Sequence, residues 1–269
     1  MFIFYFLFGD NGEGLPQKIN NYFMIILSDI SALGILYFII KRYKIKLRYF
    51  FKKEKITLSS FINKTKIIYV FIPLLYLIFF ALRANHYYTP NDSDGLLKLT
   101  NITNISFLLQ NLLVLASACI FAPIVEEIIF RGILLHRLSI KWDIKQGIII
   151  SSLFFGILHG FSFIPISILG IIFCLIYLRT NNLYYTIFAH ATYNFIILTS
   201  DYIFAFYDLE YIESISVLSM AVVKLGVGIT VPFMIYALAK FIEKDFPQSI
   251  AINNLPYFIN LKIYIKHMI

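Results

Sequence analysis

Long apolar runs separated by short polar stretches organise this chain. The first convincing run is Tyr22–Ile40. Others follow at about Lys66–Ala84, from about Ile105 to the Glu126–Glu127 pair, and at Gln146–Phe163, Pro165–Leu178, Leu183–Phe206 and Ser214–Ile242. Most approach the roughly 20 apolar residues that a helix needs to cross a bilayer. They are continuous and not alternating, which favours helices over barrel strands. The pattern therefore predicts an all-α, polytopic transmembrane helical bundle of about seven spans. Residues 1–8 (MFIFYFLF) are too short to span, no basic segment precedes them, and Gly9–Asn21 carries no small-residue cleavage site. They read as a membrane-surface segment or an incomplete first helix, and not as a signal peptide.

The polar stretches carry the orientation. Lys41, Arg42, Lys44, Lys46, Arg48, Lys52, Lys53 and Lys55 fall within fifteen residues against the single acid Glu54. Arg131, Arg137, Lys141 and Lys145 form a second basic region beside Trp142, a candidate interface anchor, and Arg179 a third. Asp92 and Asp94 face only Lys98 in Asn85–Asn104, and Asp201, Asp208, Glu210 and Glu213 have no base among them. Basic loops stay cytoplasmic, so the N-terminus is expected outside and the tail bearing Lys262 and Lys266 inside.

Composition agrees with this picture. The 269 residues are 59% hydrophobic and 14% charged, with mean hydropathy +0.79, well outside the range of soluble domains. The formal charge of +8 is spread between apolar runs, which indicates topology and anionic lipid as its partners and not nucleic acid. Cys119 and Cys174 lie inside apolar runs without a CxxC and read as small core residues. Heavy use of Ile, Phe, Tyr, Lys and Asn suggests an AT-rich genome, a hint about source and not about function.

Three polar constellations interrupt the apolar runs. Ala122-Pro123-Ile124-Val125-Glu126-Glu127-Ile128-Ile129-Phe130-Arg131 places two carboxylates where ionised groups are costly unless partnered or used in chemistry. Glu127 and Arg131 stand at i, i+4 and can pair, whereas Glu126 points about a hundred degrees away. Pro123 removes a backbone donor, so carbonyls near residue 119 lose a partner. His159 follows Phe155 by four residues between Gly156 and Gly160, and His190 precedes Asn194 by four on one helical face. Taken singly, these features also suit a helix end at the interface, a packed histidine, and interhelical hydrogen bonds. Together they offer a carboxylate and an imidazole able to hold and deprotonate water, and a His/Asn pair able to stabilise an oxyanion. The remaining histidines, His86, His136 and His267, are read as lying at loops or ends.

E-E-x-x-x-R, F-x-x-x-H and H-x-x-x-N, in this order, resemble the CPBP family of intramembrane proteases, which includes CAAX prenyl endopeptidases and bacterial bacteriocin-processing and self-immunity proteins. The resemblance covers residues 105–206, about two-fifths of the chain. It implies that Glu126 is the general base and holds the attacking water with His159. His190 and Asn194 would then polarise the scissile carbonyl. Glu127 and Arg131 would form the supporting pair, and Phe155 would pack beneath His159. The organisation expected is an N-terminal membrane region (1–104) with two spans, a catalytic helical core (105–206), and a C-terminal span and tail (207–269). No cofactor is implied. The substrate implied is a membrane-associated peptide or protein.

Two rivals accompany this reading. Zinc held by Glu126, His159 and His190 is chemically ordinary, although no HExxH is present and Asn194 would have no role. A non-catalytic immunity or transport protein could use the same polar cluster to bind a peptide or ion. The spans also raise a question of depth. His190 lies about 10 Å from the inner end of its run and His159 about 20 Å from its own, so they meet only if the 146–163 helix begins before the membrane or tilts. Single-cysteine accessibility labelling checks the topology: Lys41–Lys55 should label only from the cytoplasmic side, and Asn85–Asn104 from outside.

Overall fold

A computed structural model describes residues 15–66, 68, 71 and 112–206, together with isolated positions between 225 and 240. The described residues are helical and include no strand. Residues 1–8, most of Lys66–Ala84, Asn85–Asn104, most of Ser214–Ile242 and the tail lie outside them.

Helix α1 is Leu15–Arg42, ending in Lys41 and Arg42, where cations suit the negative end of the helix dipole. Helix α2 runs over Leu112–Lys141. Two π-helical segments interrupt it, Ser117–Phe121 and Ile128–Leu134, on either side of the α-helical Ala122–Glu127. Helix α3 is Ile144–Ile157, α4 Phe163–Thr180 and α5 Leu183–Phe206. By length and composition, α2 and α4 can each cross a membrane, and α3 is apolar but shorter.

The boundaries of α3 and α4 differ from the expected Gln146–Phe163 and Pro165–Leu178. Asp143 caps α3 by accepting the Gln146 amide at 2.8 Å, fixing the start two residues early. The 14 residues of α3 span about 21 Å, less than the roughly 30 Å of bilayer hydrocarbon. Gly160, at φ 61°, then turns the chain in a region that favours glycine. Pro165 sits in the first turn of α4, where its missing N–H is not needed. His159 therefore stands at a helix end and not in the middle of a span.

Packing of α3 against α4 dominates the core, and close approach makes it possible. A Cβ on Gly170 would lie 3.0 Å from the Ser152 Cβ and 3.1 Å from its Cα. One on Gly156 would meet the Ser167 side chain and the Phe163 carbonyl. The start of α5 sits level with Gly132 of α2, since a Cβ there would touch Leu183 at 3.4 Å and Phe50 at 3.5 Å. Gly147 of α3 instead abuts Ser139, seven residues and about 10 Å further along α2. The α2–α3 hairpin thus projects about 10 Å past the start of α5. That projection fits the expectation that this helix begins before the level at which α5 starts.

The basic stretch after α1 folds back onto the α4–α5 turn. The Leu183 amide donates to the Phe50 carbonyl at 2.9 Å. Asn182 Nδ2 donates to Glu54 Oε1 at 2.9 Å, Lys64 pairs with Glu54 at 3.1 Å, and Lys64 Nζ donates to the Tyr185 hydroxyl at 3.0 Å. Phe50 is fully buried and covers His136, whose ring lies 6.0 Å from it and 5.3 Å from Tyr177. His136 is therefore a fully buried residue near the end of α2. Cys174 is fully buried and Cys119 half-buried, both as free thiols.

The Asn182 amide, and then Lys64, hold the Glu54 carboxyl below its usual value of 4.5. Its contribution to docking is therefore complete above that value and lost as pH falls through the lowered one. Hydrogen exchange at the Leu183 amide, corrected for intrinsic pH dependence, should show protection at neutral pH that falls in acid. Glu54→Gln should flatten the dependence.

Candidate active site

The centre of α2 carries the site. Glu127 and Arg131 are both fully buried, and Arg131 Nη1 donates to Glu127 Oε1 at 2.8 Å. Arg131 Nη2 donates to the Gly170 carbonyl of α4 at 3.2 Å. Its guanidinium carbon lies 4.3 Å from the Phe155 ring centre and 5.1 Å from that of Phe173, where the ring faces attract a cation. One cation thus joins α2, α3 and α4.

His190 Nδ1 donates to the same Glu127 oxygen at 3.0 Å. That bond turns its Nε2 toward Glu126 Oε2, at 3.8 Å. The His190 ring stacks on Phe173 at 5.0 Å and meets the edge of Phe155 at 5.7 Å. His159 arrives from the end of α3. Its Nδ1 donates to the Phe155 carbonyl at 2.6 Å, and its ring lies 4.8 Å from the Phe155 ring. Its Nε2 also faces Glu126 Oε2, at 4.0 Å. A carbonyl only accepts, so His159 carries its hydrogen on Nδ1 and, when neutral, presents an acceptor at Nε2.

The two carboxylates therefore occupy different environments. Glu127 is sealed and receives a guanidinium and an imidazole on Oε1, while its Oε2 has no hydrogen-bond partner among the described residues. Glu126 keeps 21% of its side chain exposed, while its Oε2 is buried without a hydrogen-bond partner and faces both imidazole Nε2 atoms. Spacings of this length suit a bridging water rather than direct bonds.

Asn194 lies one turn beyond His190, and its Nδ2 donates to the Ala118 carbonyl of α2 at 2.7 Å. The structure thus brings Glu126, Glu127, Arg131, Phe155, His159 and His190 into one contiguous cluster, with Asn194 beside it on the Ala118 carbonyl. Sequence reasoning missed Asp29 of α1, half-buried, which accepts from Ser117 Oγ at 2.8 Å at the start of the first π segment. It was legible as the one acidic residue within the Tyr22–Ile40 run.

Comparison with known proteins gives two matches. Residues 108–196 match the family model "Type II CAAX prenyl endopeptidase Rce1-like". The chain is 36% identical over 84 residues to "Putative membrane peptidase YdiL" of Bacillus subtilis (strain 168), a match covering 30% of this chain and 34% of that protein. The chain thus spans about a third of the length of the curated relative it matches. No solved structure matches.

Arg131→Ala should cost about 3–5 kcal/mol if Glu127 stays charged, since an unpaired carboxylate would remain buried. Arg131→Lys should cost less, although it loses the Gly170 bond and the ring contacts. Thermal unfolding in detergent measures both, and wild-type stability in Arg131→Ala would remove the pair from its structural role.

Proposed function

We propose that this chain is a CPBP-type intramembrane endopeptidase acting on a membrane-associated peptide or protein through a water activated by Glu126, a reading supported by the family model matched over residues 108–196 and by the likeness to a membrane peptidase. The observation that carries the reading is the convergence of the Nε2 atoms of His159 and His190 on Glu126 Oε2 at 4.0 and 3.8 Å, with Glu127 already engaged by Arg131.

A water between Glu126 Oε2 and His159 Nε2 would donate a hydrogen to each and aim a lone pair outward. As its oxygen attacks the peptide carbonyl, Glu126 takes its proton. The tetrahedral oxyanion is met by the His190 imidazole and by the Asn194 amide. The C–N bond then breaks, and Glu126 returns the proton to the leaving amine. Glu127, Arg131 and Phe155 hold the two imidazoles in place. Seven spans, an external N-terminus and a cytoplasmic C-terminus complete the proposed setting in a bacterial cell membrane. A metal-bound alternative would draw Glu126, His159 and His190 around one zinc ion, at zinc-to-donor distances of about 2.0–2.2 Å.

Purified chain incubated with membranes from cells carrying only the Glu126→Gln variant should release new peptide termini, read by mass spectrometry. Glu126→Gln protein should fold normally and release them at a rate lower by at least about a hundredfold. Substantial cleavage by that variant would remove Glu126 as the base. Loss of wild-type cleavage on chelation, with recovery on added zinc, would replace the mechanism by the metal one.

A further inference from the structure

Asn194 is held by a backbone group that its own helix should have satisfied. In an unbroken α-helix the Ala118 carbonyl would accept from the amide of residue 122. Here the Ala122 amide instead bonds the Ser117 carbonyl, five residues back. The next amide in π-helical register belongs to residue 123, which is proline and has no hydrogen. The Ala118 carbonyl therefore has no backbone donor available at either spacing, and the Asn194 carboxamide supplies one at 2.7 Å. A lost backbone partner near a proline is normally a cost. Here it falls opposite the helix face that carries His190, one turn from Asn194.

We propose that the π segment and Pro123 leave the Ala118 carbonyl open in order to orient Asn194. One carboxamide hydrogen is fixed on α2, and the second is set in the amide plane, where it can serve as a donor. Ala118 and Pro123 are on this account positioning residues, comparable in role to Glu127 behind His190. The use of that second hydrogen on an oxyanion rests on the peptidase reading above. The carbonyl–carboxamide coupling does not.

The sequence allows a direct spectroscopic test. Ala118–Cys119 is the one Ala–Cys step in the chain, since Phe173 precedes Cys174. Carbonyl-13C alanine with 15N cysteine therefore gives a single carbon–nitrogen correlation, from the Ala118 carbonyl, by solid-state NMR of the full chain in lipid. Asn194→Ala should shift that carbonyl resonance upfield, as its hydrogen bond is lost. In a Pro123→Ala background, where a backbone amide again reaches Ala118, the same Asn194→Ala change should leave it unmoved. Pro123→Ala alone should fold at least as stably as wild type, because a helix-interior proline has gone, yet lower release of new termini from Glu126→Gln membranes by about tenfold to a hundredfold. An Ala118 resonance indifferent to Asn194→Ala when Pro123 is present overturns the coupling. Full turnover in Pro123→Ala, with the resonance now indifferent to Asn194, overturns the orienting role. Absence of cleavage by wild-type protein counts against the peptidase reading, while the resonance still decides the coupling.

Discussion

The rest of this site depends on the burial of one cation, Arg131. A guanidinium and a carboxylate cut off from water are costly, and their mutual attraction offsets the cost only when further bonds satisfy them. Arg131 reaches Glu127, the Gly170 carbonyl and the faces of Phe155 and Phe173. Glu127 lies on the same helix, Phe155 on α3, and Gly170 and Phe173 on α4, so displacing α3 or α4 would remove part of the surroundings that offset the buried pair. The bond to Gly170 also depends on that residue lacking a side chain, because α4 could not otherwise approach Ser152 and Phe155 so closely. The imidazole of His190 is then set by two groups that Arg131 itself fixes, the Glu127 oxygen below and the Phe173 ring beside it.

Side chains bonded to backbone carbonyls of α2 form a second theme. Helix α2 departs from α geometry on both sides of the glutamate pair, and such departures collect at functional sites. In each π segment a carbonyl is met by a side chain from another helix: Ala118 by Asn194 of α5, and Phe130 by Ser151 of α3 at 3.2 Å. Asp29 of α1 holds Ser117 next to the first of these. The irregular stretches of α2 are therefore among the places where its neighbours are attached by hydrogen bonds, beside the bond from His190 to Glu127.

Much of this was legible in the sequence because it follows from spacing within one helix. Four residues separate Glu127 from Arg131, Phe155 from His159 and His190 from Asn194, and helical repeat alone puts each pair together. Contacts across helices were less legible. The donation of His190 Nδ1 to Glu127 was hidden because spacing showed which faces the two residues share with their own neighbours, not which helices meet. The π segments carry no sequence signature beyond Pro123, so the destination of the Asn194 amide could not be read. The burial of His136 was hidden for a related reason. Its neighbours Arg137 and Lys141 marked a cytoplasmic end, but burial comes from Phe50, far away in the chain. The length of α3 was overread because Leu158, Phe161 and Phe163 extend the apolar run beyond the point where Gly160 turns the backbone.

That short helix shows how depth is set by packing rather than by length of apolar run. His159 lies twelve residues past Gly147, and Glu126 lies thirteen before Ser139, so each is about 18–20 Å from the Gly147–Ser139 contact. His190 lies seven residues past Leu183, which is level with Gly132, six residues from Glu126. Three helices of unequal length therefore deliver their polar groups to one level because small residues fix where each pair touches. A bulky residue at Gly147 would slide α3 along α2 and carry His159 away from Glu126 while leaving every local helix intact. The site is thus a property of helix register, and the glycines that set the register belong to its chemistry as much as the charged groups do.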